Sequence, residues 1–186
     1  MSLSRALPLF LVVACGGDPA PTLLDAGNVD ANPQARCLIP ASYGALGAQA
    51  GSADVTGDNS ITVVLAPGPP KDDLFISLTA GSGVFAGGIK PGTFTISGQD
   101  ASFNTCGLCT TILAHIDAQT GPAKFFFADA GTITLDTATP AAQGAPSKIA
   151  GSAQNLHFTE IDLGASGATP VQGGCQTTIE SLSFGD

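Results

Sequence analysis

The sequence has few charged residues, few basic residues and almost no large aromatic residues other than phenylalanine. Only 11% of its 186 residues are charged, and it contains no Trp and one Tyr. Six basic residues against fifteen acidic ones give a formal net charge of −9 at pH 7. Nucleic-acid binding needs a basic surface that neutralises phosphates, so this class of function is excluded. An anionic membrane would also repel the chain, so any membrane contact has to come from an anchor.

A short apolar run close to the first residue indicates export. Residues 6–13 form this run, which suits the core of a signal peptide. It is far shorter than the roughly 20 residues that a membrane-spanning helix needs. The segment Val12-Val13-Ala14-Cys15 completes it, with branched, small and cysteine residues in the order of a lipobox. At this segment the chain resembles the bacterial lipoproteins.

The resemblance implies a lipid anchor at Cys15. In these lipoproteins the signal peptide, here residues 1–14, is cut away. The cysteine sulfur then carries a diacylglycerol, and the new amino group carries an acyl chain such as palmitate. Membrane lipid is therefore the expected partner of Cys15, and the cell envelope is the expected location. Gly16, rather than Asp, follows the cysteine, which in this family favours the outer membrane, on its periplasmic or cell-surface face.

Two further segments follow the signal peptide. Residues 15–36 are mostly small and turn-forming, without helical or strand periodicity, so we predict a flexible tether with an r.m.s. span of about 25 Å. Residues 37–186 have the length of one folded domain. Within it, the part from Ile89 to Phe158 contains the segments Pro91-Gly92-Thr93-Phe94, Ala130-Gly131-Thr132-Ile133 and Ile149-Ala150-Gly151. On these segments the chain is similar to bacterial surface lipoproteins of unknown function, a resemblance that implies no activity.

Apolar residues in the domain alternate with Thr, Ser and other polar residues. This period of two is typical of strands with one buried face. The apolar members of such runs are Ile61, Val63 and Leu65; Leu74, Ile76 and Leu78; Phe94 and Ile96; Ile112, Ala114 and Ile116; Ile133 and Leu135; and Leu156 and Phe158. Two places depart from the pattern. Leu113 lies on a polar side, and after Glu160 the apolar parity changes to Ile161 and Leu163.

The spacing of turns predicts the fold class. The chain contains 24 Gly and 13 Pro, and they separate the alternating runs at regular intervals. Helical spacing with caps is not found outside the signal peptide. We therefore predict an all-β domain of about eight or nine strands. An antiparallel β-sandwich of jelly-roll or Greek-key type is the first architecture, and a closed β-barrel is the second.

Four cysteines remain besides Cys15, an even number that suggests disulfides in an exported protein. Three pairings are open, and we favour Cys37 with Cys175 and Cys106 with Cys109. The first pair would close almost the whole domain, for which chain entropy gives an upper limit of about 5 kcal/mol. The second would close a very small loop and contribute about 2 kcal/mol by the same relation.

The segment Cys106-Gly107-Leu108-Cys109 has the spacing of three other chemistries. A thiol-disulfide oxidoreductase places this motif at a helix N-terminus, whereas a strand pattern follows here. Haem attachment requires His after the second cysteine, and Thr110 stands there. A four-cysteine zinc site normally has a second such motif, which the sequence lacks. We therefore predict a structural disulfide, with no metal and no cofactor.

The two histidines are the remaining candidates for chemistry. His115 precedes Asp117 by two positions, and His157 lies between Asn155 and Thr159 on its predicted strand face. An ordinary solvated face is the simpler interpretation, although adjacent strands could assemble a metal or acid–base site. The common catalytic motifs of hydrolases, nucleotide-binding enzymes and zinc peptidases do not occur.

The sequence therefore predicts a function without assigning a catalytic residue. The leading hypothesis is a non-enzymatic binding or envelope-structural module whose protein or carbohydrate ligand the residues do not identify. The lack of Trp argues against a carbohydrate-binding module. The alternative is an exported hydrolase or metal-dependent enzyme that uses His115 and His157 with nearby carboxylates.

Overall fold

The computed structural model describes residues 36–53, 59–142 and 145–185. The predicted signal peptide, Cys15 and nearly all of the predicted tether lie outside these ranges. Within them, nine strands confirm the all-β prediction: β1 (Ala45–Ala53), β2 (Ser60–Ala66), β3 (Lys71–Leu78), β4 (Gly92–Thr95), β5 (Leu108–Ile116), β6 (Lys124–Thr139), β7 (Lys148–Gly164), β8 (Gly167–Pro170) and β9 (Gln176–Gly185). The described ranges contain no α-helix, and 3-10 turns occur at Gly83–Phe85 and Gly98–Ala101. No helix in this part of the chain is long and apolar enough to cross a membrane.

Seven of the nine strands close into a barrel. Their order around the ring is β6, β5, β3, β2, β1, β9 and β7, and β7 pairs with β6 to complete it. β1 and β9 run parallel, whereas the other pairs are antiparallel. The short strands β4 and β8 add to β6 and β7 outside the ring. The closed barrel, the second predicted architecture, is therefore the observed one in place of the sandwich.

Two long strands explain why the sheet closes on itself. β6 has 16 residues and β7 has 17, and their pairing shifts register at three places. Such bulges bend a strand and increase its twist, which curls a sheet towards closure. Gly131 lies at one of these shifts with φ 126°, and a Cβ there would be 2.7 Å from Leu156 Cδ2. Only glycine fits this close approach.

The interior of the barrel is filled by apolar side chains. The largest fully buried ones are Phe85, Phe126, Phe158, Ile61, Leu74, Ile76, Leu108, Ile112, Ile133, Leu135, Ile149 and Leu156. They include most of the apolar positions of the predicted alternating runs. A barrel of this size has just enough interior space for side chains. Ligands are therefore expected at the strand ends or on the outer face.

A smaller apolar cluster lies on the outer face of the barrel. Its buried members are Cys106, Phe127, Ile161 and Ala168, with Cys109 and Phe125 packed against them. Leu113 is the cross-strand neighbour of Phe125, which is in turn the neighbour of Ile161. The two departures from alternation therefore place apolar residues on the outer face. They do not end a strand, since β7 continues past Glu160 to Gly164.

Candidate binding cleft at the barrel mouth

A cleft of about 460 Å³ opens at the barrel mouth, the end at which β6 and β9 begin. Small-molecule sites typically occupy about 300–1,000 Å³ and often lie in the mouths of β-barrels. The residues that line the cleft are Arg36, Cys37, Lys124, Glu160, Val171, Gly173, Gly174, Cys175 and Gln176. This set combines charged side chains, a cysteine pair and a glycine-containing loop.

Lys124 and Glu160 form the charged wall of the cleft. Lys124 lies two residues before the interior Phe126, and Glu160 lies two residues after the interior Phe158. Because side chains alternate along a strand, both belong to the interior face, at the point where it reaches the mouth. Lys124 Nζ is 2.8 Å from Glu160 Oε1, and the two side chains are 22% and 12% exposed.

The second oxygen of Glu160 is also occupied. The backbone N–H of Cys175 donates a hydrogen bond to Glu160 Oε2 at 2.9 Å. Burial acts to raise the pKa of Glu160, but the hydrogen bonds from Lys124 and Cys175 outweigh it and leave this pKa below its ordinary value of 4.5. Glu160 is therefore ionised at neutral pH and holds Lys124 at the edge of the cleft.

A tight loop completes the wall beside Glu160. The backbone N–H of Val171 donates to the carbonyl of Glu160, and that of Gly174 donates to the carbonyl of Val171, each at 2.9 Å. A Cβ at Gly174 would lie 2.8 Å from the Val171 carbonyl oxygen and 3.1 Å from Glu160 Cβ. Glycine at this position therefore allows the loop to approach Glu160 and present the Cys175 amide to it.

The four domain cysteines lie in two pairs at disulfide distance. Cys37 is paired with Cys175, with 5.4 Å between their Cα atoms, and Cys106 with Cys109, with 5.2 Å. These are the pairs favoured in the sequence analysis. The first pair lines the cleft and joins the start of the domain to the residue before β9. Lys124 Nζ lies 4.0 Å from Cys175 Sγ.

A second cavity of about 330 Å³ adjoins the cleft and shares Lys124, Glu160 and Val171 with it. Its other lining residues are Ala123, Phe125, Ile161, Asp162 and Leu163. Phe125 and Ile161 are cross-strand neighbours in the outer apolar cluster, and Leu163 is 41% exposed. The charged wall therefore lies between the cleft and a cavity that Phe125, Ile161 and Leu163 also line.

A second carboxylate at this end of the barrel is the buried one of Asp72, near the start of β3. Asp72 is 5% exposed and accepts hydrogen bonds of 2.8 Å from Tyr43 Oη and from the backbone N–H of His115. Burial raises the pKa of Tyr43, and the hydrogen bond to Asp72 and the charge of Asp72 raise it further. Tyr43 therefore keeps its proton at neutral pH. His115 contributes its backbone to this network, with φ 51° in the left-handed region.

The structure does not bring His115 and His157 together. His115 follows Ala114, which is paired with Lys124, whereas His157 is paired with Ala130. Positions 124 and 130 of β6 are separated by about 20 Å along a strand. In the described ranges, no group of three or more His, Cys, Asp and Glu side chains could hold a metal ion.

His157 instead forms a small polar cluster on the outer face with a carboxylate that the sequence analysis missed. Asp129 Oδ1 lies 2.6 Å from His157 Nδ1, and Thr159 Oγ1 donates to Asp129 Oδ2 at 2.6 Å. The β6–β7 register shifts between Ala128 and Ala130, so Asp129 is the extra residue of a bulge. Alternation along a sequence does not reveal such a bulge.

The Cys106–Cys109 segment is held by a buried carboxylate, Asp100. Its Oδ1 accepts the backbone N–H groups of Gly107 at 2.8 Å and Leu108 at 2.9 Å, and its Oδ2 accepts that of Val84 at 3.0 Å. Cys109 lies within β5, not at the start of a helix. The segment thus lacks the helix N-terminus that lowers thiol pKa values in oxidoreductases.

The sequence carries no clear signal for Lys124. It lies two positions before Phe126, but the run Phe125-Phe126-Phe127 does not alternate, so it does not show which side of the strand is buried. The arrangement can bind charged groups, because an ammonium carries three donors and Glu160 Oε1 accepts one of them. Comparisons of the chain with protein-family models, curated proteins and solved structures found no match.

Proposed function

We propose that the chain is an exported lipoprotein whose barrel domain is a non-enzymatic binding module of the cell envelope. Residues 1–14 are its signal peptide, Cys15 and the residues up to 36 are its anchor and tether, and residues 37–186 are the binding domain. Acylated Cys15 attaches the protein to membrane lipid, in the outer membrane. The observation that carries the binding role is the cleft beside Lys124 and Glu160.

Two features support export. The segment Val12-Val13-Ala14-Cys15 has the residue order of a lipobox directly after an apolar run. The cysteine pairs Cys37–Cys175 and Cys106–Cys109 lie at disulfide distance. Disulfides persist in oxidising compartments such as the periplasm and the cell surface, and are rare in the cytosol.

The geometry of the cleft supports binding over catalysis. The barrel interior is packed with apolar side chains, so a ligand has access from outside, as in the cleft at the mouth. A general base works best when its pKa lies near the operating pH. Glu160 has a lowered pKa, and both of its oxygens already accept hydrogen bonds. Its role is to position Lys124.

Mass spectrometry of the full chain expressed in a bacterial host tests the anchor. We expect an N-terminal peptide that begins at acylated Cys15, and the protein in the membrane fraction. Cys15→Ser is expected to leave the chain unacylated and outside the membrane fraction. The matched control, Cys106→Ser with Cys109→Ser, removes two other cysteines and is expected to keep the lipid. Recovery of an unacylated wild-type chain with its residues 1–14 intact would contradict the proposal.

The alternative function is hydrolysis at His157, and the Asp129–His157 pair favours it. A carboxylate on Nδ1 fixes the tautomer and orientation of an imidazole that acts as a general base. The two side chains are 36% and 39% exposed, which leaves the site open to solvent. Thr178 on β9 is the other cross-strand neighbour of His157, on the side opposite β6.

Hydrolysis of p-nitrophenyl acetate by the full chain separates this alternative from the leading proposal. If His157 is a general base, His157→Ala lowers the rate at least tenfold, whereas the matched variant His115→Ala keeps it. We expect instead that wild type and both variants hydrolyse the ester at the same slow rate as a free-histidine control. A rate that depends on His157 alone would establish the enzyme.

A further inference from the structure

We propose that the cleft binds a small organic carboxylate with an apolar substituent. Lys124 meets the carboxylate, and the apolar part lies in the adjoining cavity against Phe125, Ile161 and Leu163. This inference rests on the proposed binding function and names the chemical class of its ligand.

The hydrogen bonding of the charged wall favours an anion. Glu160 uses Oε1 for Lys124 and Oε2 for the Cys175 amide, so its negative charge is directed into the protein wall. Lys124 has three donors, of which Glu160 takes one, and its nearby Cys175 Sγ at 4.0 Å is a weak acceptor. A carboxylate in the cleft would supply a second strong acceptor for this ammonium.

The distribution of basic residues points to the same place. The described ranges contain five basic residues, Arg36, Lys71, Lys90, Lys124 and Lys148. Arg36 and Lys124 both line the cleft, in a chain with a formal net charge of −9. An acidic protein repels anions over most of its surface, and the ammonium of Lys124 makes this cleft a place where a small anion is tolerated.

The adjoining cavity is the reason to expect an apolar substituent on the ligand. It shares Lys124, Glu160 and Val171 with the cleft, so the two spaces adjoin at the charged wall. Phe125 and Ile161 lie side by side across β6 and β7, and Leu163 follows Ile161 on the same face two positions further along. Sites for small molecules combine such apolar surface with a few placed polar groups. An inorganic anion would bind the ammonium but would leave these apolar side chains exposed to water.

Titration of the full chain with phenylacetate, followed by isothermal calorimetry, tests the ligand class. A weak complex is expected, with a Kd of about 1 mM, in line with the small size of the probe. Lys124→Gln is expected to weaken phenylacetate binding about tenfold, the effect of losing one charge-assisted hydrogen bond. The matched control is Lys148→Gln, which removes an exposed lysine at the other end of β7 and is expected to leave the Kd unchanged.

Three further measurements separate recognition from loss of structure. Lys124→Arg keeps the charge beside Glu160 and is expected to bind phenylacetate within about threefold of wild type, with an unchanged Tm. Leu163→Ser is expected to weaken phenylacetate several-fold and to leave the much weaker binding of acetate unchanged. Benzyl alcohol, which has the ring without the carboxylate, is expected to bind at least tenfold more weakly than phenylacetate.

The ligand class is overturned if phenylacetate does not bind wild type at about 50 mM, if Lys124→Gln and Lys148→Gln behave alike, or if benzyl alcohol binds as well as phenylacetate. The result is independent of the anchor. If Cys15 is acylated but phenylacetate does not bind, the proposed ligand class is wrong and the lipoprotein proposal stands. If phenylacetate binding depends on Lys124 but the chain is never acylated, the ligand class stands and the proposed anchor is wrong.

Discussion

Two carboxylates, Asp100 and Glu160, lie beside the two cysteine pairs of the barrel and differ in what they accept. Asp100 is 4% exposed and accepts three backbone N–H groups, two of them from residues between Cys106 and Cys109. Glu160 accepts one backbone N–H, from Cys175, and one ammonium proton from Lys124. Its side chain borders two cavities.

The difference separates a structural carboxylate from one that serves a site. Three backbone bonds to Asp100 hold a loop in one conformation and leave no polar group for a ligand. Glu160 accepts a hydrogen bond from the loop with one oxygen and from Lys124, a cation that solvent can reach, with the other. A buried carboxylate that accepts backbone donors alone therefore indicates a fixed loop. A lysine whose carboxylate partner also accepts a loop N–H indicates a surface that can contact a ligand.

The largest expected effect comes from the cysteine pairs. The Cys37→Ala, Cys175→Ala double variant opens a link between residues 138 apart in the chain, and we expect it to lower the free energy of unfolding by up to about 5 kcal/mol. The matched Cys106→Ala, Cys109→Ala variant opens a link of separation 3, and about 2 kcal/mol is the corresponding limit. Urea denaturation of the full chain measures both. Equal losses would show that the Cys106–Cys109 pair beside Asp100 contributes more to the free energy of unfolding than the length of its loop predicts.

The carboxylates themselves give the next effect. Asp100→Ala leaves three backbone N–H groups without their acceptor, so we expect a loss of about 3–5 kcal/mol in the free energy of unfolding. Glu160→Ala is expected to cost about 1–2 kcal/mol, because it frees one backbone N–H and leaves a Lys124 that water can reach. Urea denaturation checks the order of the two losses. A larger loss for Glu160→Ala would contradict the distinction drawn between them.

The smallest effect is the pH dependence of Glu160. Its pKa in the folded chain lies below the ordinary value of 4.5, so its contribution to stability is present above pH 4.5 and is lost as the pH falls through the lowered value. Glu160→Gln lacks this titration. We therefore expect the Tm of wild type to fall more steeply than that of Glu160→Gln when the pH is lowered from 5 to 3. Asp162→Asn, at an exposed neighbouring position, is the control and should follow wild type; parallel curves for all three would contradict the prediction.

The sequence predicted much of the fold and little of the cleft, for a physical reason. Alternation is a local property, so it located strands such as Leu74–Leu78 and Leu156–Phe158 and predicted which side chains are buried. Closure depends on where β6 and β7 shift register, and these shifts arise from pairing between distant residues. The shift beside Ala128 placed Asp129 next to His157, and the β5–β6 pairing of Ala114 with Lys124 placed His115 far from it. Lys124 gave no such signal, because Phe125-Phe126-Phe127 does not alternate, and its partner Glu160 is 36 positions away in the chain.

The short strands outside the ring bear on how the protein behaves at high concentration. In the described ranges, the two ends of the strand order are β4 and β8, which have four residues each. Unpaired edges are the templates on which neighbouring molecules add strands and aggregate. Because the barrel wraps its long strands into a ring, only a few backbone groups remain to start such a stack. The net charge of −9 adds repulsion between copies, so both features oppose self-association at high concentration.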